Sequence, residues 1–261
     1  DYVKFSKFHE EGKGEILEIF PRKNYIIRRS VNLSKETHIL ASNIDQAMLV
    51  ITLKRPRTYY EFIDRFLITA NAYQIPTIIV FSKSDTYLEE ELEEIEIVRK
   101  IYANLKINCL LISSHNKNDI SKILNLIKNK TTLFSGNSGV GKSTLINYLN
   151  PKLNLKTQSV SKSTNKGQHT TTFAQMYDID KNTHVIDSPG IKGFGLVDMK
   201  KNEIYRYFPE LLEASKKCRF KNCIHVNEPE CEVKKRLITG EISNYRYESY
   251  INLIHGEKII R

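Results

Sequence analysis

Apolar positions along the chain follow two periods. Short apolar runs at Ala47–Leu53, Thr77–Phe81, Cys109–Ile112, Thr132–Phe134 and His184–Ile186 alternate with amphipathic stretches near 59–73, 88–103, 119–129 and 142–149. Continuous runs of this length suit strands buried on both faces. Their alternation with helical patterns predicts an α/β unit, a parallel-type sheet with helices on both sides, over about Ser42–Gly195. Ahead of it, Gly14–Phe20, the turn residues Pro21-Arg22-Lys23-Asn24, and Tyr25–Arg29 predict a β-hairpin. Two or three strands cannot make a core alone. Residues 1–41 therefore read as part of a small β-barrel whose beginning is missing, and the first residue is Asp1 rather than Met. After the α/β unit come a short helical pattern, a Cys/His cluster and an amphipathic, Tyr-rich stretch over 232–255. The expected division is 1–41, 42–198 and 199–261, the last unit mostly helical. No apolar run approaches the ~20 residues of a membrane helix, so no membrane partner is expected.

Composition narrows the classes. Hydrophobic residues make up 40% and charged residues 27%, which excludes a disordered or fibrous chain. Lys and Arg outnumber Asp and Glu 40 to 30, and the net charge of +10 directs attention to polyanions, nucleic acid first. Arg22, Lys23, Arg28 and Arg29 collect on the expected hairpin. The acidic run Glu89–Glu96 reads as a solvated helix face. Cys218, Cys223 and Cys231 crowd together with His225 among them. That is metal spacing rather than a disulfide framework, and it favours a reducing cytoplasm. Three thiolates and one imidazole suit a closed, tetrahedral, structural Zn²⁺ site. Cys109, inside an apolar run, reads as a core residue. His9, His38, His115, His184 and His255 have no supporting neighbours in sequence and read as surface or core.

One motif carries specific chemistry. Gly136-Asn137-Ser138-Gly139-Val140-Gly141-Lys142-Ser143-Thr144 fits Gly-x-x-x-x-Gly-Lys-Ser between the run ending at Phe134 and a helical Thr144–Leu149. Its glycines let backbone N–H groups turn inward around a phosphate, at a helix N-terminus whose dipole favours an anion. Lys142 then reaches the β- and γ-phosphates, and Ser143 ligates Mg²⁺. Downstream, an apolar strand runs into Asp187-Ser188-Pro189-Gly190. Asp187 can hold Mg²⁺ through water, and the Gly190 N–H can sense the γ-phosphate. Between these motifs, residues 156–172 carry Lys156, Lys162 and Lys166, no acid, and the ending Gly167-Gln168-His169-Thr170-Thr171-Thr172. This stretch is either a phosphate-responsive switch or an ordinary solvated loop. As a switch, it would complete the Mg²⁺ shell with one of its threonines, Thr171 being the candidate chosen.

Guanine recognition needs a carboxylate that accepts from N1–H and N2–H₂ together, a donor pair adenine lacks. No Asn/Thr-Lys-x-Asp follows Lys142. Upstream, however, Thr77–Phe81 runs into Ser82-Lys83-Ser84-Asp85, and Cys109–Ile112 runs into Ser113-Ser114, where a backbone N–H can meet guanine O6. The order is base motif, second base loop, phosphate loop, switches. That is a circular permutation, tolerable because domain termini often lie close together on the surface.

On Arg22-Lys23-Asn24-Tyr25, Gly136–Thr144, Gly167–Thr172, Asp187–Gly190 and Cys218-x₄-Cys223-x-His225-x₅-Cys231, the chain resembles the RsgA family over nearly its whole length. These are circularly permuted GTPases of bacterial small-ribosomal-subunit biogenesis. The resemblance implies an N-terminal OB-fold, a permuted GTPase domain and a C-terminal zinc domain. It implies hydrolysis of GTP to GDP with Mg²⁺, one structural Zn²⁺, and the small ribosomal subunit with its rRNA as partner of a monomer. It also implies that His169 orients the attacking water, since Ile191 stands where many GTPases place Gln; a purely structural His169 stays open. There are two departures. Most of the OB barrel is absent, and the base motif opens with Ser82 where the family usually has Asn or Thr. Ser keeps a hydroxyl, so guanine binding is expected to survive. Two other classes remain: a phosphate-loop ATPase or small-molecule kinase with a structural zinc domain, and an RNA-binding module that holds GTP without turnover.

Overall fold

The computed structural model describes residues 1–8, 13–29, 37–155, 174–188 and 200–255. Its chain order opens with β1 (Val3–Lys7), β2 (Gly14–Ile19), β3 (Tyr25–Arg29), β4 (Thr37–Ser42) and β5 (Gln46–Ile51), followed by α1 (Tyr60–Ala72) and β6 (Thr77–Phe81). Next come α2 (Glu89–Asn104), β7 (Asn108–Leu111), α3 (Lys117–Ile127), β8 (Thr131–Ser135) and α4 (Lys142–Leu149). The chain closes with β9 (Gln175–Asp178), β10 (His184–Asp187), α5 (Pro209–Ser215), α6 (Glu232–Ile238) and α7 (Asn244–His255).

Six strands form the central sheet in the order β7-β6-β5-β8-β10-β9, parallel except for β9, which runs antiparallel to β10. Side chains alternate between faces along each strand. Ala47, Leu49, Ile51, Ile79 and Phe81 meet α1 and α2 through Phe62, Ile63, Phe66, Ile95 and Val98. Met48, Val50, Ile78 and Val80 meet α3 and α4 through Ile120, Ile123, Leu145 and Ile146. Every residue of β5 is buried, as a strand covered on both faces requires. The predicted α/β pattern therefore forms, with boundaries shifted by one or two residues. The four-residue β9, mostly exposed, went unread because it has no apolar run.

The expected pairing of 14–20 with 25–29 does not form among the described residues. Instead β2 pairs with β1, and β3 pairs with β4, both antiparallel. The turn is pulled away by its own polar side chains. Asn24 Oδ1 accepts from Ile44 N and its Nδ2 donates to Ile44 O, both at 2.8 Å, while Arg22 Nε donates to Asp1 Oδ1 at 2.6 Å. β3 and β4 then pack on the α/β unit, with Ile26 and Ala41 in its core and Tyr25 against Tyr73 at 5.1 Å. The β1–β2 pair is exposed along nearly all its length.

The C-terminal unit has its own core of Ile204, Phe208, Leu211, Cys223, Cys231, Val233, Ile242, Tyr250 and Leu253, which Ile68 of α1 also joins. Gly240, at φ +78°, follows the end of α6, so the 232–255 stretch is two helices rather than one. α7 lies against α1. There the buried Asp64 accepts a hydrogen bond from the Arg246 guanidinium and one from Tyr102 OH at 2.8 Å, and Arg246 Nε donates to Glu210 Oε1 at 2.7 Å. Among the described residues no helix is long and apolar enough to cross a membrane.

Candidate functional site

The phosphate loop hangs between β8 and α4. Gly136 has φ +148°, and a Cβ there would stand 2.0 Å from Val50 O, so only glycine lets the loop pass the end of β5. Val140 is wholly buried and anchors the loop in the core; Gly141, at φ +99°, turns the chain into α4. Lys142 is buried, and its Nζ donates to Gly136 O at 2.8 Å and Asn137 O at 2.9 Å. Burial pushes its pKa down to about 8, with Asp187 partly opposing. Ser143 and Thr144 are half-buried in the first turn of α4, where backbone N–H groups lack helical acceptors. Asp187 ends β10 almost fully buried. Ser188 N and Oγ then both donate to Phe134 O, tying this strand tip to β8.

The Ser82–Asp85 segment leaves β6 and touches the phosphate loop directly. Ser82 is 2% exposed, and its hydroxyl lies 2.6 Å from Val140 O and 3.1 Å from Ile51 O. Lys83, at φ +62°, turns its Nζ to Gly139 O at 2.7 Å and to Arg55 O at 3.1 Å, and burial pushes its pKa down. Ser84 N donates to Ile112 O at 3.0 Å, so the segments that follow β6 and β7 are joined. Asp85 is exposed in the short turn Ser84–Thr86. In the second loop one expectation is narrowed. Ser113 N is occupied by Asp119 Oδ2 at 3.1 Å, which leaves Ser114 as the donor that can face a base. His169, the three threonines 170–172 and Gly190 lie outside the described residues, as do the side chains of Arg28 and Arg29.

The third site is complete within one loop. His225 Nδ1 stands 3.6, 3.2 and 3.5 Å from the sulfurs of Cys218, Cys223 and Cys231, and Cys218 Sγ lies 3.9 Å from Cys231 Sγ. Tetrahedral Zn²⁺ with arms of ~2.3 Å to sulfur and ~2.05 Å to nitrogen needs edges of about 3.8 and 3.5 Å. The donor set and its spacing fit. The Glu228 carboxylate shapes the loop by accepting from Ile224 N, Val226 N and Asn227 N, while Tyr247 OH donates to His225 O at 2.8 Å. Burial raises the Cys223 and Cys231 thiols, so a bound cation must displace their protons.

A family model for the RsgA GTPase matches residues 19–197. The chain belongs to the RsgA GTPase family. It is 50% identical over 249 residues to the small ribosomal subunit biogenesis GTPase RsgA of Christiangramia forsetii, a match covering 95% of this chain and 79% of the relative. It is 51% identical to the protein of the same name from Flavobacterium psychrophilum, over 94% and 75% of the two chains. Among solved structures it resembles YjeQ from Thermotoga maritima, with TM-score 0.78 and 32% identity over 99% of this chain and 84% of that one. It also resembles YloQ, described as a circularly permuted GTPase, with TM-score 0.73 and 28% identity over 98% and 79%. The fold is thus a circularly permuted GTPase, as the motif order implied.

Several contacts in this RsgA-family chain had no signal in the sequence. His115 does have a neighbour: its Nδ1 meets Tyr148 OH at 2.9 Å, and the rings pack edge to face at 5.6 Å. His184 Nδ1 meets Asp178 Oδ1 at 2.7 Å across the β9–β10 pair. Asp119 and the Asp64–Arg246 pair were also missed. Each joins residues from different elements, which periodicity and spacing do not reveal.

Proposed function

We propose that this chain hydrolyses GTP to GDP and phosphate and acts as a cytoplasmic monomer in the biogenesis of the small ribosomal subunit. The observation that carries this is the contact of Ser82 and Lys83 with the carbonyls of Val140 and Gly139. It brings the base motif against a phosphate loop more than fifty residues downstream, so base and phosphates share one pocket. Asp85 accepts from guanine N1–H and N2–H₂, Ser114 N–H donates to O6, and Ser82, Lys83, Ser84 and Ser113 hold these groups in place. Ser82 stands where the family usually has Asn or Thr, and its hydroxyl bridges to the loop.

The N–H groups of Gly136–Thr144 surround the β- and γ-phosphates. Lys142 exchanges its two carbonyl partners for phosphate oxygens, a charge-assisted contact stronger than the one it leaves. Ser143, Thr171 and, through water, Asp187 would hold Mg²⁺; their hydroxyl and carboxylate oxygens suit a hard cation, which would supply neutralisation of phosphate charge. Water attacks the γ-phosphorus in line while the bond to the β-bridging oxygen breaks. His169 orients that water and the Gly190 N–H follows the γ-phosphate. Cys218, Cys223, His225 and Cys231 hold one structural Zn²⁺, and no reaction step passes through it. Residues 1–41 and 199–261 flank the GTPase domain 42–198 and grip rRNA. Exposed Lys216, Lys217, Arg219 and Lys221 around Phe220 support that role for the zinc unit.

The test is GTP hydrolysis by the full chain with and without small ribosomal subunits. Stimulation by the subunits, lost in His169→Ala while nucleotide affinity holds, is expected. Water orientation of this kind is worth ~10²–10⁴-fold in rate. Hydrolysis indifferent to the subunits, with ATP competing as well as GTP, would return the chain to the ATPase or kinase class.

A further inference from the structure

The second base loop is short, and most of its backbone donors are spoken for. Ser113 N donates to Asp119 Oδ2 at 3.1 Å, His115 N to Ser113 Oγ at 3.2 Å, and Asn116 N to Ser113 O at 3.0 Å. Ser114 N–H is the remaining donor; among the described residues it has no partner within the chain. Two side chains from neighbouring helices hold this arrangement. Asp119, on the first turn of α3, is 9% exposed, and its other oxygen accepts from Lys122 Nζ at 2.9 Å. Asn116 caps α3 by accepting from Asn118 N and Asp119 N, which fixes where that carboxylate stands. From α4, the helix that follows the phosphate loop, Tyr148 OH meets His115 Nδ1 at 2.9 Å.

We propose that Asp119 and Tyr148 are positioning residues for guanine O6, fixing the Ser113–His115 loop at its two ends so that Ser114 N–H is presented to the base. The proposal rests on the guanine reading given above. A donor held in place by bonds within the chain needs little reorganisation when the ligand arrives, and a site built to hydrogen-bond one group rejects an analogue lacking it. Without Asp119, Ser113 N–H loses its acceptor, and the loop can rotate either amide towards the pocket. Tyr148 ties the same loop to α4, so the O6 donor keeps its distance from the phosphate loop.

The probe is 6-thio-GTP, which keeps N1–H and N2–H₂ but offers sulfur, a poor acceptor, in place of O6. The full chain should bind GTP about tenfold more tightly than 6-thio-GTP, the worth of one good hydrogen bond. Asp119→Ala should weaken GTP by nearly that factor, leave 6-thio-GTP almost unchanged, and so collapse the ratio towards one. Asp119→Asn keeps an acceptor for Ser113 N–H and should restore the ratio. Tyr148→Phe, at an exposed position that folding tolerates, should lower it by a smaller factor. Equal loss of both nucleotides in Asp119→Ala and Tyr148→Phe, or no loss of GTP in either, overturns the proposal while leaving the base reading intact. If the unmodified chain does not distinguish GTP from ATP, the base reading fails and the proposal goes with it.

Discussion

In the phosphate loop the ammonium of Lys142 is folded back on the carbonyls of Gly136 and Asn137, whereas in the C-terminal loop four ligand atoms already stand within 4.8 Å of one another. Both regions prepare for a charged guest. The proposed nucleotide pocket gathers its groups from the tips of β6, β7, β8 and β10, and on that reading its cation leaves one set of partners for another. The Cys/His loop draws everything from residues 218–231 and needs only to lose protons. An open site trades partners at each cycle, while a closed one binds once and stays. On the proposed reading the first belongs to turnover and the second to folding.

The largest effect should come from breaking the closed site. Cys223→Ser leaves three ligands, and a structural zinc site contributes ~10 kcal/mol or more of apparent binding free energy to folding. Zinc per chain, by elemental analysis, should drop from about one to near zero, with loss of helix from residues 200–255. GTP affinity should change little, because the two cores around the central sheet draw on residues 26–186 and on none of 200–255. Full zinc content in the variant, or a chelator that leaves thermal unfolding of the unmodified chain untouched, contradicts the assignment.

Next in size is the open site's specificity. Asp85→Ala removes the carboxylate that meets two guanine donors at once and leaves both unpaired. GTP over ATP discrimination should fall by ~10⁴-fold. Competition of a labelled guanine nucleotide by unlabelled GTP and ATP measures it; a variant that still prefers GTP moves the base reader elsewhere.

How far these sites were legible follows from how local they are. The Cys/His loop and the Gly-x-x-x-x-Gly-Lys-Ser turn are each contiguous, so spacing alone disclosed their donor sets. The parallel strands of the central sheet were legible because they are short apolar runs, and the exposed β9 was not. The N-terminal pairing was misread because Pro21–Asn24 looks like a hairpin turn, yet Asn24 bonds to the backbone of Ile44 instead. Least legible was the docking of the zinc unit. Asp64 and Arg246 lie 182 residues apart, and nothing in either neighbourhood announces the pair. The packing sets the zinc unit against α1, whose C-terminal end leads into β6 and the Ser82–Asp85 segment.

That docking gives the third prediction. Arg246→Ala leaves Asp64 and Glu210 without their shared cation, and breaking a buried pair by removing one partner typically costs ~3–5 kcal/mol. Stability to urea should fall by that amount while zinc content stays at about one per chain, which separates docking from metal binding. Arg246→Lys should not restore it, since one ammonium cannot reproduce a guanidinium that bonds two carboxylates and lies 4.4 Å over the Phe208 ring. Loss of zinc in Arg246→Ala would instead mean that the cluster depends on the α1 contact.

The smallest effect tests the trade of partners at Lys142. In the free chain burial holds its pKa at about 8. Nucleotide phosphates favour the ammonium, so the bound value must be higher. The sign follows. Below pH 8 the lysine is charged in both states and affinity is flat. Above it the free chain loses the proton, binding must take one up, and affinity falls by up to about tenfold per pH unit until the bound group titrates too. Guanine loses its own N1 proton in the same alkaline range, which weakens the contact with Asp85 independently. Lys142→Arg separates the two causes, because a guanidinium stays charged throughout. GDP affinity measured from about pH 7 to pH 9 should fall more steeply for the unmodified chain than for Lys142→Arg. Calorimetry in buffers of different ionisation enthalpy should register more proton uptake for the former than for Lys142→Arg at pH 8.5. Parallel pH profiles for the two proteins would mean that Lys142 is already charged in the free loop, and that its burial against the two carbonyls costs it no proton.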